Sequence, residues 1–120
     1  TPLYSSAASD VYKRQKIQDA LKVAIDAPME CALLATKVMP LCRKIAEIGN
    51  VNIISDAGVA VLAARAAFKS AELNVYVNAS GLEDKVFADK QIQEVRKLSN
   101  LVEKEERDIF DYVSGVILKL

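Results

Sequence analysis

Polar side chains stand at both ends of one alanine-rich stretch, residues 50–78. Asp56 lies near its start, and two amides, Asn74 and Asn78, lie at its end. A carboxylate can accept a proton from water or pair with N–H groups of a ligand, and amides can orient such a ligand by hydrogen bonds. Because the chain contains no histidine, acid–base chemistry here has to use a carboxylate, a lysine, a tyrosine or a bound water.

Small side chains connect these polar groups along one face of a predicted helix. The positions that share this face at spacings of three and four are Ala60, Ala63, Ala64, Ala67 and Ala71. At about 1.5 Å per residue, Asp56 and Asn74 lie roughly 27 Å apart, so one ligand cannot touch both within one helix. An antiparallel second copy places the acid of one chain beside the amides of the other, and a twofold axis forms two such clefts.

A purely structural interpretation of the same stretch stays open. Small residues on a helix face also allow simple close packing, and Asp56 is then only a favourable charge in the first helical turn. Asn52 and Ser55 are candidates for the cap of this helix. Arg65 interrupts the apolar run, and it is either a surface residue with a buried stem or a contact for a ligand carboxylate.

Three short patterns, taken in order, resemble a known family. They are GN-x-N at residues 49–52, SD-x-GV at 55–59 and NV-x-x-N at 74–78, and Ala27-Pro28 agrees with them. The chain resembles the cyclodeaminase/cyclohydrolase family from about residue 16 to residue 112. The family's proline-triglycine-serine turn has no counterpart here, which predicts that the chain is the C-terminal portion of a longer protein.

This resemblance implies folate one-carbon chemistry without a metal or redox cofactor. The reaction is either loss of ammonia from 5-formiminotetrahydrofolate or addition of water to 5,10-methenyltetrahydrofolate. Asp56 is then the candidate catalytic carboxylate, as a proton shuttle or as a partner of the pterin ring. The candidate substrate-binding residues are Asn52, Ser55, Arg65, Asn74 and Asn78. The alternatives are a non-catalytic helical dimerisation domain and a family fragment that is inactive alone.

Composition limits the other functional classes. The chain has 120 residues, enough for one domain, and 16 basic residues balance 16 acidic ones, which argues against a nucleic-acid partner. The apolar run 57–64 is shorter than the roughly 20 residues that span a membrane, and no secretory signal is recognisable, so we expect a cytoplasmic protein. Cys31 and Cys42 are expected to be buried, reduced thiols, since two cysteines without histidine do not make a usual zinc site.

The predicted fold is an all-α antiparallel bundle of about four helices with a long, buried central helix, in a homodimer. Residues 1–15 lack the periodicity of the rest and are interpreted as junction sequence or a flexible tail, so the domain comprises residues 16–120. An S-x-x-E capping box at residues 80–83 predicts that the last helix begins near Gly81. The inward stripe predicted for the second helix is Leu34, Val38, Leu41, Ile45 and Ile48. The second apolar face predicted for the central helix is Val59, Leu62, Ala66, Leu73 and Val77.

Overall fold

Four α-helices make up the computed structural model, which describes residues 3–119. They are α1 (Leu3–Ala24), α2 (Asp26–Ile48), α3 (Val51–Ser80) and α4 (Lys85–Leu118). The prediction of an all-α chain is confirmed. Only Ile25 separates α1 from α2, and its backbone is itself helical, with φ −75° and ψ −27°. The four helices therefore form three long elements.

The helices α2, α3 and α4 pack on one another, with α3 antiparallel to both neighbours. Asn78 near the end of α3 reaches Ala24 just before α2, and Gly58 near the start of α3 lies against Val113 near the end of α4. A Cβ added to Gly58 would meet the Val113 side chain at 3.1 Å. The glycine therefore allows the close approach of these two helices.

A seven-residue repeat explains which side chains form the core. The buried positions separated by seven are Ile25 just before α2 with Ala32, Met39 and Ala46 in α2, Ile54, Val61, Phe68 and Val75 in α3, and Ala88, Val95, Val102 and Ile109 in α4. A repeat of seven keeps one seam of each helix facing its neighbours, as in coiled coils. Burial of this seam stabilises the chain by about 25 cal/mol for each Å² of apolar surface removed from water.

The predicted inward stripe of α2 is wrong. All five of its residues, Leu34, Val38, Leu41, Ile45 and Ile48, are exposed. The second apolar face of α3, Val59, Leu62, Ala66, Leu73 and Val77, is exposed as well. Both helices are apolar on two sides, and helical spacing identifies an apolar face without saying which one the chain itself covers. In α2 the small residues Ala32, Ala35 and Ala46 face inward, because they let the backbones approach closely.

The chain is a thin rod with a large surface. Its extents are 77 × 22 × 16 Å and its radius of gyration is 20.7 Å, against about 13.6 Å for a compact domain of this length. The accessible surface is 8069 Å², whereas a compact monomer of 13.1 kDa exposes about 6,400 Å². The excess, about 1,700 Å² for one chain, is roughly twice the 800 Å² that each partner contributes to a standard protein–protein interface.

By length and composition, α3 is apolar enough to cross a membrane. The prediction of no membrane-spanning segment considered only the run 57–64, whereas the whole helix passes this test. Within the chain, 28% of its most apolar 18-residue window is buried. The same combination of length and composition is typical of a core helix that protein neighbours cover on several sides.

Two helix starts differ from the predictions. The cap of α3 is Asn50, whose side-chain oxygen accepts a hydrogen bond from the backbone N–H of Asn52 at 2.9 Å, so neither Asn52 nor Ser55 is the cap. The predicted capping box is also wrong, because Asp84 caps α4 and accepts from the N–H of Phe87 at 3.1 Å. The sequence contains several adjacent capping residues at both places, and the loop geometry selects among them.

Ionic and amide contacts join α1 to the turn between α3 and α4. Arg14 pairs with Glu83, and Gln18 bonds the carbonyl of Gly81 and the backbone N–H of Glu83. Lys22 donates to Asp84 at 2.9 Å, and this hydrogen bond lowers the pKa of the Asp84 carboxyl. Residues 3–15 form the first part of α1. The assignment of residues 1–15 to junction or tail sequence stays a prediction.

Candidate functional site

A cavity of about 510 Å³ opens between the start of α2 and the second half of α3. This volume is within the range of about 300–1,000 Å³ that small-molecule sites occupy. Its lining residues are Ala24, Ala27, Pro28, Cys31, Ala67, Ser70, Ala71, Asn74 and Asn78. Two predicted binding residues, Asn74 and Asn78, therefore meet in one concave, mostly apolar site with a few polar groups.

Asn78 is held by two hydrogen bonds to backbone carbonyls. Its side-chain nitrogen donates to the carbonyl of Ala24 at 3.3 Å and to the carbonyl of Asn74 at 3.0 Å. In a continuous helix the Ala24 carbonyl would accept from the N–H of residue 28, but residue 28 is proline and has no N–H. Asn78 of α3 supplies the missing donor. The side chain is thus fixed at the junction of α1 and α2.

The two cysteines differ in their surroundings. Cys42 is buried in the core, and this burial raises the pKa of its thiol. Cys31 is exposed and lines the cavity, so the prediction that both thiols are buried is wrong for this residue. Both cysteines are free. Cys31 lies one turn after Pro28 on the side of α2 that faces Asn74. Modification of its thiol therefore reports on the accessibility of the cavity.

The Asp56 end of α3 has a different character. Asp56 is exposed, and among residues 6–119 its carboxylate has no hydrogen bond or ion pair within the chain. Its neighbours Ser55 and Gly58 line a smaller groove of about 200 Å³, whose other residues are Val59, Leu62, Phe110, Val113, Ser114 and Ile117. This groove between α3 and the end of α4 is almost entirely apolar. The side chains of residues 6–119 therefore provide no hydrogen-bond or ion-pair partner for the Asp56 carboxylate within one chain.

The remaining predicted binding residues lie apart from the cavity. Asn52 is exposed in the first turn of α3, and Arg65 is half-buried near its middle. Arg65 precedes Asn74 by nine residues, about 13 Å along the helix axis. The structure therefore brings Asn74 and Asn78 together, and it places Asn52, Ser55, Asp56 and Arg65 at other points along α3.

A family model settles the relationship of the chain to known proteins. The model described as formiminotransferase-cyclodeaminase matches residues 5–97, which include Asp56, Asn74 and Asn78. The chain belongs to the formiminotransferase-cyclodeaminase family. The resemblance noted from the three short patterns is confirmed.

Curated members of the formiminotransferase-cyclodeaminase family give the same result. Over 83 residues the chain is 53% identical to the methenyltetrahydrofolate cyclohydrolase of Methylorubrum extorquens. Over 82 residues it is 28% identical to the formimidoyltransferase-cyclodeaminases of Rattus norvegicus and of Mus musculus. The matches cover 69% and 68% of the chain. They span 40% of the length of the cyclohydrolase and 15% of the length of the rat enzyme.

This family member also has a polar cluster between α3 and α4, which was not predicted from the sequence. Lys69 pairs with Glu72 in the next turn of α3 and donates to Ser99 Oγ of α4 at 3.0 Å. It also reaches Glu103 at 3.3 Å. The hydrogen bond to Glu72, which is buried, raises the pKa of Lys69. The three-residue spacing of Lys69 and Glu72 was a usable signal. The cluster joins two helices on the side away from the cavity.

Proposed function

We propose that this family member acts in folate one-carbon metabolism as a methenyltetrahydrofolate cyclohydrolase, at sites shared by two antiparallel copies of the chain. The observation that supports the reaction is the 53% identity to the Methylorubrum cyclohydrolase. The observation that supports the place is the cavity with Asn74 and Asn78. A metabolic enzyme of this kind is expected in the cytoplasm.

In the proposed reaction, water adds to the carbon that bridges two nitrogens of the substrate. Water gives one proton to the carboxylate of Asp56 as its oxygen bonds to the carbon. The bond from this carbon to one nitrogen then breaks, and the hydroxyl proton passes to that nitrogen, which leaves a formyl group on the other nitrogen. One proton is released to solvent from Asp56. A positioned acid–base group of this type contributes about 10²- to 10⁴-fold to a rate.

The need for a second copy follows from the geometry of α3. Asp56 and Asn74 are separated by roughly 27 Å along one helix, so they meet only if Asp56 comes from another chain. Much of the small-residue face between them is free for such a contact, since Ala60, Ala63 and Ala67 are exposed. The surplus surface of the rod also exceeds the area, about 800 Å², that one partner contributes to a standard interface. A homodimer would cover α3 with protein.

Turnover assays test the proposed reaction. The purified chain is incubated with 5,10-methenyltetrahydrofolate, and we expect conversion to formyltetrahydrofolate in the presence of a chelator, because the proposed chemistry uses no metal and no electron transfer. A parallel titration with 5-formyltetrahydrofolate measures binding independently of chemistry. Binding without turnover would leave a folate-binding module, and absence of both would contradict the proposal.

Cyclodeaminase activity is the second candidate, because the matching family model and the rat and mouse relatives carry that name. The same residues would serve it, since loss of ammonia also passes through a tetrahedral carbon between two nitrogens. Release of ammonia from 5-formiminotetrahydrofolate distinguishes the two. We expect faster turnover of the methenyl substrate, in line with the higher identity to the cyclohydrolase.

A further inference from the structure

We infer that Asn78 is a specificity-determining residue, whose side-chain oxygen accepts a hydrogen bond from the amino-pyrimidinone edge of the pterin. This inference rests on the proposed function, because it concerns how the same site recognises a folate. Its starting point is the pair of hydrogen bonds that Asn78 makes inside the protein.

The two N–H groups of the Asn78 amide are both used. A primary amide has two donor hydrogens on nitrogen and an acceptor oxygen. One donation satisfies the Ala24 carbonyl, which Pro28 leaves without its helical partner, and the other goes to the carbonyl of Asn74. The group that remains for a ligand is the oxygen. Asn78 lines the cavity, so it offers a ligand an acceptor of fixed orientation and no donor.

Asn74 complements this fixed acceptor. Its side chain lines the same cavity and, among residues 6–119, makes no hydrogen bond within the chain. It can therefore donate or accept, as the ligand requires. A pterin presents an amino group, a ring N–H and a carbonyl side by side on one edge. The Asn78 oxygen can only accept, and the Asn74 amide can both donate and accept. Together they match the two donors and the one acceptor of the pterin edge.

This arrangement also separates the roles of the site residues. Asp56 had two candidate roles, as a proton shuttle and as a partner of the pterin ring. If the amides of one chain hold the pterin edge, the carboxylate of the second chain is left for the proton transfer. Recognition and chemistry then come from opposite ends of α3, and each site uses one end from each copy.

The experiment measures how much each protein variant discriminates between folates with and without the donor edge. The ligands are 5-formyltetrahydrofolate and two analogues in which either the 2-amino group or the ring N3–H is replaced by methyl. Binding is measured by titration calorimetry with the complete 120-residue chain. For wild type we expect at least one analogue to bind about 10- to 100-fold more weakly, because it covers the Asn78 oxygen without giving it a donor.

Three variants separate recognition from structure. Asn78→Ala removes both the donor to the Ala24 carbonyl and the acceptor for the ligand. Asn78→Asp keeps acceptors but has no donor. Asn78→Lys keeps a donor for the Ala24 carbonyl but has no acceptor. We expect Asn78→Ala and Asn78→Lys to bind the parent folate and the analogue within about twofold of each other, whereas Asn78→Asp keeps the preference. Asn100→Ala, at an exposed position of α4, is the matched control and keeps the wild-type ratio.

A purely structural role for Asn78 predicts another outcome. Each Asn78 variant would then bind the parent folate and the analogues more weakly by the same factor, and the ratio of their affinities would stay at the wild-type value. That result would overturn the inference. Equal binding of all three ligands to wild type would also overturn it and leave the proposed function standing. If no folate binds wild type, the proposed function fails together with the inference.

Discussion

The two ends of α3 differ in how much of their surroundings one chain supplies. At the Asn78 end, α2 and the junction after α1 complete a cavity, and the amide is fixed by two carbonyls. At the Asp56 end, the carboxylate is exposed beside an apolar groove and makes no hydrogen bond or ion pair within the described side chains. One end is thus a cavity that the chain builds alone, whereas under the proposed function the other end needs a second copy opposite it.

Of the changes at the two ends of α3, replacement of the Asp56 carboxylate should have the largest effect. For Asp56→Asn we expect turnover to fall about 10²- to 10⁴-fold, with folate binding close to wild type, because the amide keeps the size of the side chain and cannot take the proton. Steady-state kinetics and titration calorimetry measure the two quantities. Asp89→Asn, an exposed aspartate of α4, is the control. Normal turnover of Asp56→Asn would remove this residue from the mechanism.

A charge placed between the two ends should break the pairing of copies. Ala63 is exposed in the small-residue face, so Ala63→Glu is expected to leave the single chain folded. An unpaired charge buried in the interface costs about 3–5 kcal/mol, which should shift the sedimentation profile to monomer and abolish turnover. Asn100→Glu adds the same charge on α4 and should leave the assembly intact. A dimeric, active Ala63→Glu protein would place the interface elsewhere.

Truncation of the Asn78 side chain should lower the free energy of unfolding, whereas truncation of its neighbour Asn74 should not do so to the same extent. Asn78→Ala leaves the Ala24 carbonyl without a donor, and we expect a loss of about 1–3 kcal/mol in the free energy of unfolding. Asn74→Ala keeps its backbone carbonyl and should cost less, since its side chain has no partner within the described residues. Urea denaturation followed by circular dichroism compares the two. Equal losses would mean that the Asn78 contacts contribute nothing particular.

Acid should weaken the contact between α1 and the turn before α4, close to the Asn78 end of α3, and this effect should be smaller than that of Asn78→Ala. Lys22 and the backbone N–H of Phe87 hold the pKa of Asp84 below its ordinary value of 3.8. A lowered folded-state pKa stabilises the fold above pH 3.8, and this contribution is lost as the pH falls through the lowered value. Asp84→Asn should therefore have a lower melting temperature than wild type at pH 7, and the difference should shrink towards pH 3. A constant difference would contradict this origin.

Part of this picture was available from the sequence. The helices and the closeness of Asn74 to Asn78 follow from spacing, because residues four apart on a helix are neighbours wherever the helix packs. The family followed from the resemblance of three short patterns to known members. The cavity itself did not follow, since it depends on how α2 lies beside α3. The role of Pro28 was partly accessible: a proline three residues into a helix leaves a carbonyl that some other donor has to satisfy.

Burial was harder to predict than helicity. The apolar stripe of α2 that begins at Leu34 has the three- and four-residue spacing of a core-facing helix side. It is nevertheless exposed in the chain, while Ala32 and Ala35 are buried. Hydrophobicity favours the larger residues, whereas close helix packing favours the smaller ones, and the sequence alone does not show which face meets which neighbour. The caps at Asn50 and Asp84 were missed for a related reason, because other residues that can cap a helix lie within five positions of each.

Mixing Asp56→Asn with Asn74→Ala, each of which we expect to have low turnover because it lacks one part of every site, tests the shared site most directly. In Asp56→Asn the amides are intact, and in Asn74→Ala the carboxylate is intact, so a mixed dimer contains one complete site. After unfolding and refolding a one-to-one mixture, half of the dimers are mixed, and we expect about a quarter of wild-type turnover to return. A mixture no more active than the two separate proteins would show that Asp56 and Asn74 do not meet across two chains.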